Sequence, residues 1–213
     1  MKWYFVKAPR LVKILFYNWT WSFTTPKKVL YLTFDDGPTP EITTWTLNEL
    51  QKYNAKGTFF CIGKNIKENS TLFKEIINQG HSVGNHTYNH LKGWETSLDT
   101  YLENTAQTEN TIIENDGKKP LWFRPPYGKI TLKQSESLRK KGYKIAMWDV
   151  LSADFDISIS PQKCLDNVLK NTTNGSIIVF HDSIKAHKNL QFVLPKVLEY
   201  YSSKNYKFEI LPE

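Results

Sequence analysis

Apolar and polar residues follow two patterns along this chain. Seven short apolar runs predict buried strands, and they lie at residues 29–34, 57–62, 81–84, 121–123, 143–148, 176–180 and 206–211. Stretches of helical period separate most of these runs, at residues 41–53, 65–79, 97–115, 131–141, 160–171 and 189–203. Strands that alternate with helices of this length predict a parallel sheet. We therefore expect an α/β protein: a distorted (β/α) barrel of about seven parallel strands in a single domain.

The N-terminus has a different composition, and we expect residues 1–27 to form a segment separate from a domain at residues 28–213. Eight of residues 1–23 are aromatic, and this stretch carries four basic residues and no acid. Its charges and Pro9 leave no run of the ~20 apolar residues that span a bilayer, and no secretory signal is visible.

Two interpretations of the N-terminal segment remain open. It is either an interfacial helix that starts near Pro9 and turns Leu11, Ile14 and Leu15 toward lipid, or a segment that packs under the domain and closes its base. The first would give peripheral membrane contact through residues 1–23.

Composition narrows the class of protein. Hydrophobic residues make up 40% of the chain and aromatic residues 14%, which is enough for a sizeable core. The net charge of +7 favours acidic partners such as anionic polymers or membrane surfaces. Nucleic acid is disfavoured because the basic residues are scattered and no nucleic-acid-binding motif occurs. Two cysteines leave the redox compartment open.

Polar side chains follow five of the predicted strands. In parallel α/β folds, catalytic groups gather on the loops at the carboxyl ends of the strands. The residues in question are Asp35, Asp36, His86, His90, Arg124, Asp154 and His181. We expect them to meet at one rim of the sheet.

A metal site is one explanation for the adjacent carboxylates Asp35 and Asp36. His86 and His90 are four residues apart, so on a helical turn both imidazoles would face one ion. Two histidines and a carboxylate suit Zn²⁺ or another borderline divalent ion and leave a position open for water, which indicates hydrolysis. The alternative is an ordinary Asp-Gly-Pro turn, which explains one carboxylate more easily than two.

Arg124 stands out because the chain has 25 lysines and only three arginines. An arginine here suggests that a planar, bidentate guanidinium is needed to hold a carboxylate. The alternative is a surface arginine beside a proline-rich turn.

Three stretches together resemble the polysaccharide deacetylases, the NodB-like homology domain of carbohydrate esterase family 4. They are TFDDG, NHTYNH and RPPYG, and the resemblance extends in order and spacing over roughly residues 28–210. It implies a catalytic domain at residues 28–213 with a distorted (β/α) barrel. It also implies a divalent metal, usually zinc, with cobalt, nickel or manganese as alternatives. The activity implied is removal of acetyl groups from N-acetylated sugars.

The resemblance also implies roles for individual residues at the metal. Asp35 would be the catalytic base. Asp36, His86 and His90 would be the metal ligands. Arg124 would orient Asp35 and tune its basicity.

Further roles follow on the substrate side. The backbone N–H of Tyr127 would hold the oxyanion, and His181, paired with Asp154, would be the catalytic acid. Pro125 and Tyr127 would contact the substrate.

Two motifs depart from the family pattern. Phe155 stands where the family usually has Trp, and Leu151 fills a usually acidic position. Val179 replaces the usual Leu two residues before the catalytic acid. Phe155 and Val179 would still form an apolar wall for the acetyl methyl group, so the departures concern sugar specificity rather than chemistry.

The leading prediction is a metal-dependent hydrolase that acts on N-acetylated glycans, either peptidoglycan or chitin-type oligomers. A close variant would remove a formyl or acetyl group from a lipid-linked sugar, which the aromatic, basic N-terminus would suit. A different class is a glycan-binding module that has lost turnover, but binding alone would not need a base and an acid. The substrate class favours the cell envelope, while no export signal or membrane span is visible.

Overall fold

Parallel strands form the centre of the molecule, and helices cover their outer side. The computed structural model describes residues 4–213. The strands are β1 (Val29–Asp35), β2 (Gly57–Cys61), β3 (Ser82–Asn85), β4 (Trp122–Phe123), β5 (Lys144–Ile145), β6 (Val150–Leu151), β7 (Ile177–His181) and β8 (Lys207–Phe208). The helices are α1 (Arg10–Leu15), α2 (Ile42–Lys52), α3 (Gly63–Glu68), α4 (Ser70–Asn78), α5 (Leu98–Asp116), α6 (Leu132–Lys140), α7 (Pro161–Asn171) and α8 (His187–Ser202).

Seven of these strands lie in one sheet, in the order β5-β4-β3-β2-β1-β7-β6, and all of their pairings are parallel. The short strand β8 pairs with the beginning of β1. The sheet curls into an incomplete barrel whose free edges are β5 and β6. The prediction of a distorted (β/α) barrel of about seven parallel strands is confirmed.

The pleat of β1 decides which side chains enter the barrel. Leu32 and Phe34 belong to the large apolar cluster that includes residues of α2, α7 and α8. Tyr31, one residue out of phase, packs in a separate cluster with Trp122. Because side chains alternate along a strand, Asp35 lies on the inner face with Tyr31. The last residue of β1 therefore presents its carboxylate to the mouth of the barrel.

Two predicted elements are divided in the structure. The run at residues 143–148 contains only the short strand β5, and β6 begins in the stretch predicted as the following loop. The helical stretch at residues 65–79 breaks at Asn69 into α3 and α4. Asn and Ser side chains compete with helix backbone bonds and favour helix ends, and the sequence Asn69-Ser70 falls at this break.

The N-terminal segment lies across the open side of the barrel. Thr20 forms a parallel bridge with Ala146, just after β5, and Lys7 forms an antiparallel bridge with Val150 of β6. The segment thus joins the two free edges of the sheet, and we call residues 4–23 the seam segment. The structure differs here from the predicted packing under the base of the domain. Residues 1–3 of the predicted segment lie outside the described residues.

One face of the seam segment is buried and the other is exposed. The buried side packs against β5 and α6 through Ala8, Val12, Phe16, Trp19 and Trp21. On α1, Leu11, Ile14 and Leu15 are 78%, 60% and 72% exposed. Across residues 4–213, none of the helices combines the length and the apolar character that crossing a membrane requires.

Candidate active site

The predicted polar residues meet at the carboxyl ends of the parallel strands, around one groove of about 1700 Å³. Eight of the predicted residues line this groove: Asp35, Asp36, His86, His90, Tyr127, Phe155, Val179 and His181. Arg124 and Asp154 are buried behind them. The rim expected from the strand ends is therefore present.

Asp36, His86 and His90 form a cluster suited to a cation. Their potential ligand atoms all lie within 4.8 Å of one another. Asp36 Oδ1 is 3.2 Å from His90 Nε2 and 3.7 Å from His86 Nε2. This buried oxygen accepts no well-formed hydrogen bond from any described residue. A buried oxygen without a partner, facing two imidazole nitrogens, fits a divalent ion.

The surroundings of His86 prepare it as a ligand. Its Nδ1 lies 2.8 Å from the backbone oxygen of Arg124, so Nδ1 carries the proton and Nε2 keeps its lone pair. Burial lowers the pKa of His86 to about 4, which leaves the ring neutral. Burial alone would raise the pKa of Asp36, but the close approach of His90 and the charge of His181 hold it well below its usual range.

A loop, not a helical turn, brings the two histidines together. Residues 86–90 are not helical, and Thr87 and His90 have φ values of 62° and 56°. The expectation of a helical turn was therefore wrong, although the two rings do converge, with centroids 5.1 Å apart. Asp36 also has a positive φ, of 81°. Non-glycine residues in this region are uncommon and cluster at functional sites.

Asp35 is paired with Arg124 inside the barrel. Arg124 Nη1 donates to Asp35 Oδ1 at 2.7 Å and to Thr33 Oγ1 at 2.8 Å. Nη2 donates to the backbone oxygen of Met147 at 2.9 Å, and the guanidinium lies over the ring of Phe60. Arg124 is thus buried, which excludes the surface alternative. Arg124 donates to Asp35 through a single nitrogen, Nη1, so the expectation of a bidentate pair was wrong.

His181 is held by Asp154 through both carboxylate oxygens. Oδ1 lies 2.8 Å from His181 Nδ1, and Oδ2 accepts from the backbone N–H of His181 at 2.8 Å. This arrangement leaves Nε2 as the free nitrogen of a ring that lines the groove. Burial alone would lower the pKa of His181, but the charge and hydrogen bond of Asp154 raise it to about 9. His181 therefore carries a proton at neutral pH.

The 3₁₀ turn at Pro126–Gly128 forms part of the groove wall. Tyr127 has a φ of 60°, the residue is 61% exposed, and its ring centroid lies 4.6 Å from that of His90. Within residues 4–213, no group accepts a hydrogen bond from the Tyr127 N–H. Pro125 is buried and does not line the groove.

Two apolar side chains line the groove near His181. The ring of Phe155 contacts His181 edge-on, with centroids 4.9 Å apart. Val179 is nearly fully buried and lines the groove floor two residues before His181. The positions that depart from the family pattern thus lie beside the residue expected to donate the proton.

Asp182 belongs to the site but received no role from the sequence. Its Oδ1 accepts from the N–H of Gly37 at 3.1 Å, and its Oδ2 accepts from the hydroxyl of Thr43 at 2.5 Å. A Cβ added to Gly37 would lie 2.0 Å from Asp182 Oδ2, so only glycine permits this approach. Asp182 thereby anchors the turn that carries Asp36. Its place directly after His181 was the available sequence signal.

Comparisons with known proteins agree with this geometry. The model of the polysaccharide deacetylase family matches residues 23–146. A peptidoglycan-N-acetylglucosamine deacetylase of Bacillus cereus is 33% identical over 195 residues, which cover 91% of this chain and 91% of that protein. The peptidoglycan-N-acetylmuramic acid deacetylase PdaC of Bacillus subtilis is 32% identical over 157 residues, 73% of this chain and 32% of that protein.

Solved structures share the fold over most of the chain. The crystal structure of the Bc1960 peptidoglycan N-acetylglucosamine deacetylase has a TM-score of 0.89 and 31% identity, and the match covers 96% of this chain and 95% of that one. A CE4 family pseudoenzyme from Bacillus anthracis has a TM-score of 0.80 and 25% identity, with coverage of 90% and 66%.

Proposed function

The chain belongs to the polysaccharide deacetylase family, and we propose that it removes N-acetyl groups from the amino sugars of peptidoglycan or of a chitin-type glycan. One observation carries this proposal: the cation-binding cluster of Asp36, His86 and His90 shares its groove with Asp35 and His181. A cation site beside a carboxylate base and a protonated histidine suits hydrolysis of an amide.

We propose Zn²⁺ as the resident ion, with Co²⁺, Ni²⁺ or Mn²⁺ as substitutes. Two imidazole nitrogens and one carboxylate oxygen match zinc and leave positions for water and substrate. When bound, the ion would lower the pKa of water and polarise the acetyl carbonyl. The hydrogen bond from His86 Nδ1 to the Arg124 carbonyl would fix the direction of one ligand before the ion binds.

Asp35 and Arg124 act in the first half of the reaction, the attack of water on the acetyl carbonyl. Asp35 would accept the proton of the attacking water, as general bases do. Arg124 keeps that carboxylate in one orientation through Nη1 and is itself fixed by backbone oxygens. The N–H of Tyr127, which has no protein acceptor in the described chain, would donate to the oxygen that becomes negative during the attack.

His181 and Asp154 act in the second half of the reaction, the breaking of the C–N bond. The raised pKa keeps a proton on His181 at neutral pH, and Asp154 holds the ring by Nδ1. His181 Nε2 would protonate the departing nitrogen as the C–N bond breaks. The products are acetate and a free amino sugar, while Phe155 and Val179 would contact the acetyl methyl group.

The experiment is acetate release from N-acetylglucosamine oligomers and from peptidoglycan. We expect turnover by the zinc-loaded protein, loss of turnover after dialysis against a chelator, and recovery when Zn²⁺ is returned. Turnover that survives complete removal of metal would contradict the proposal. Comparing peptidoglycan with chitin oligomers identifies the polymer. The relatives include deacetylases of N-acetylglucosamine and of N-acetylmuramic acid in peptidoglycan.

A glycan-binding module without turnover is the alternative from another class, and a family relative is named a pseudoenzyme. In this chain Asp35 pairs with Arg124 and His181 pairs with Asp154, which supports a base and an acid at the site rather than binding alone. Binding of metal and glycan with no release of acetate or formate from any N-acylated sugar would favour that alternative.

We further propose that the exposed face of α1 contacts an anionic lipid surface. Leu11, Ile14 and Leu15 form an exposed apolar strip on α1, exposed Arg10 begins the same helix, and residues 1–23 contain no acid. The seam segment also lines the groove, through Tyr4, Phe5 and Ala8 among others. This placement supports a variant of the function in which the N-acylated sugar is linked to lipid.

A further inference from the structure

Trp94 is an exposed aromatic residue that the proposed chemistry does not use. It lies in the 3₁₀ turn Gly93–Glu95, four residues after His90, and 63% of it is exposed. It lines the same groove as Asp35 and His181. A tryptophan this exposed leaves a large apolar face in water, and such faces at the rim of a site mark binding surfaces.

The indole of Trp94 is fixed in place before any ligand arrives. Its Nε1 donates to the backbone oxygen of Ile130 at 3.1 Å. Lys129 Nζ lies 5.0 Å from the ring centroid, a cation–π contact. A side chain that has already lost its rotational freedom loses little more on binding.

The backbone beneath Trp94 is tied to the start of α6. Gly93 N–H donates to the oxygen of Lys129 at 3.1 Å, and a Cβ on Gly93 would lie only 2.5 Å from that oxygen. The buried side chain of Gln134 donates to the oxygens of Gly93 at 2.9 Å and Thr96 at 3.0 Å. We call residues 93–95 and 129–134 the Trp94 platform. It is a rigid surface beside the loop of a candidate metal ligand.

The dimensions of the groove leave room for more than one sugar. Four residues span at most about 14 Å, so the Cα of Trp94 lies within that distance of the Cα of His90. The groove of about 1700 Å³ exceeds the roughly 300–1000 Å³ of a site for one small molecule. Glycan bound with an acetyl group at the metal cluster would therefore extend along the wall of the groove.

We infer that the Trp94 platform is a second sugar subsite, which binds a unit of the glycan next to the one that is deacetylated. The apolar C–H face of a pyranose ring would stack on the indole, and Lys129, which also lines the groove, would lie beside the bound sugar. The inference rests on the proposed function, and it specifies the substrate as an oligomer of N-acetylated sugars rather than a monosaccharide. Trp94 would act on substrate affinity and chain-length preference, not on the chemical step.

The test compares the N-acetylglucosamine monosaccharide with the tetrasaccharide, using the zinc-loaded full chain. For Trp94→Ala we expect kcat/KM to fall about tenfold more for the tetrasaccharide than for the monosaccharide. The extra loss should appear in KM. Trp94→Phe, which keeps an aromatic face, should recover much of it. Tyr17→Ala removes an exposed aromatic side chain that does not line the groove and is the matched control, with both substrates unaffected.

Calorimetric binding of the tetrasaccharide separates this inference from the proposed function. If the wild type releases no acetate yet binds the tetrasaccharide, and Trp94→Ala weakens that binding about tenfold, the subsite stands while the deacetylase function fails. If the wild type turns over and Trp94→Ala loses the same factor at both lengths, or loses nothing, the subsite is refuted.

Discussion

At the scale of single residues, Asp35 and Asp36 are chain neighbours with different surroundings. Asp35 is the last residue of β1 and pairs with buried Arg124, whereas Asp36 turns toward His86 and His90. The left-handed φ of Asp36 separates the two side chains. Asp36 Oδ1 is a buried acceptor that no donor among residues 4–213 satisfies, and such an acceptor is costly in a fold unless a cation binds it. Two adjacent carboxylates can thus carry two different roles.

This division predicts different losses for Asp35→Asn and Asp36→Asn. Asp36→Asn should lose bound zinc, because an amide is a weaker ligand than a carboxylate. Asp35→Asn should keep the metal and lose turnover by about 10²–10⁴-fold, the usual contribution of a general base. Metal content by elemental analysis and acetate release measure the two effects. Equal loss of metal in both variants would show that the roles are not divided.

At the scale of elements, β2 and β3 are joined outside their ladder by His81. Its Nδ1 accepts from the N–H of Gly57, the first residue of β2, at 3.1 Å. His81 is therefore hydrogen-bonded inside the fold. Burial, assisted by the charge of Lys56, lowers the pKa of His81 to about 4. A protonated His81 could not accept this hydrogen bond, so the junction requires the neutral ring.

A pH dependence of stability follows from His81. Its pKa is lower in the folded than in the unfolded chain, so the contribution is complete above pH 6.5 and is lost as the pH falls toward 4. Between pH 7.5 and pH 5 the linked loss is about 2 kcal/mol. Urea unfolding at the two pH values should show a drop that is about 2 kcal/mol smaller in His81→Gln than in the wild type. His187→Gln controls for the loss of a histidine elsewhere, and an unchanged drop in His81→Gln would contradict the assignment.

The exposed strip of α1 is a second feature at this scale. Because Leu11, Ile14 and Leu15 point away from the barrel, replacing all three with Ser should leave the fold intact. We expect the triple variant to co-sediment less with anionic vesicles than the wild type, while zwitterionic vesicles bind both weakly. Ile157→Ser, an equally exposed apolar residue elsewhere, is the control. Equal partitioning of all three proteins would contradict the proposed lipid contact.

At the scale of the whole molecule, the seam segment holds the barrel closed. Buried Asp149 accepts from Lys7 at 2.7 Å, from Lys13 and from the hydroxyl of Ser176 at 2.5 Å. These contacts tie the N-terminal residues to the stretch between β5 and β6 and to the entry of β7. Deleting residues 1–23 would therefore disturb the barrel as well as any membrane contact, so point substitutions test the two separately.

Asp149→Asn should loosen this closure. Lost charge-assisted hydrogen bonds are expected to cost about 2 kcal/mol of unfolding free energy, discounted for the partly exposed lysines. Hydrogen exchange should rise in residues 4–23 before it rises in β1. Asp166→Asn, which breaks an exposed pair with Lys170 on α7, should change stability much less. An equal effect of the two substitutions would mean that the seam does not depend on Asp149.

Periodicity carried the prediction of the fold because it reflects burial, and burial is a property of each run of residues. The apolar runs located β1, β2, β3 and β7 within one residue at each end. Periodicity missed β6 because this two-residue strand at the sheet edge forms through its pairing with β7, not through a pattern of its own. It also could not place the seam segment, whose partners are the two distant edges of the sheet.

For the site, the sequence by itself determined which residue types follow which strands, and the resemblance to a family gave them roles. Only the tertiary structure decided how they meet: through a left-handed loop instead of a helical turn at His90, and through a single guanidinium nitrogen at Asp35. It alone revealed Asp182 beneath the turn of Asp36 and Trp94 on the groove wall. The physical reason is that strand content is encoded locally. Distances between residues remote in the chain arise only when the sheet curls and the loops adopt their strained conformations.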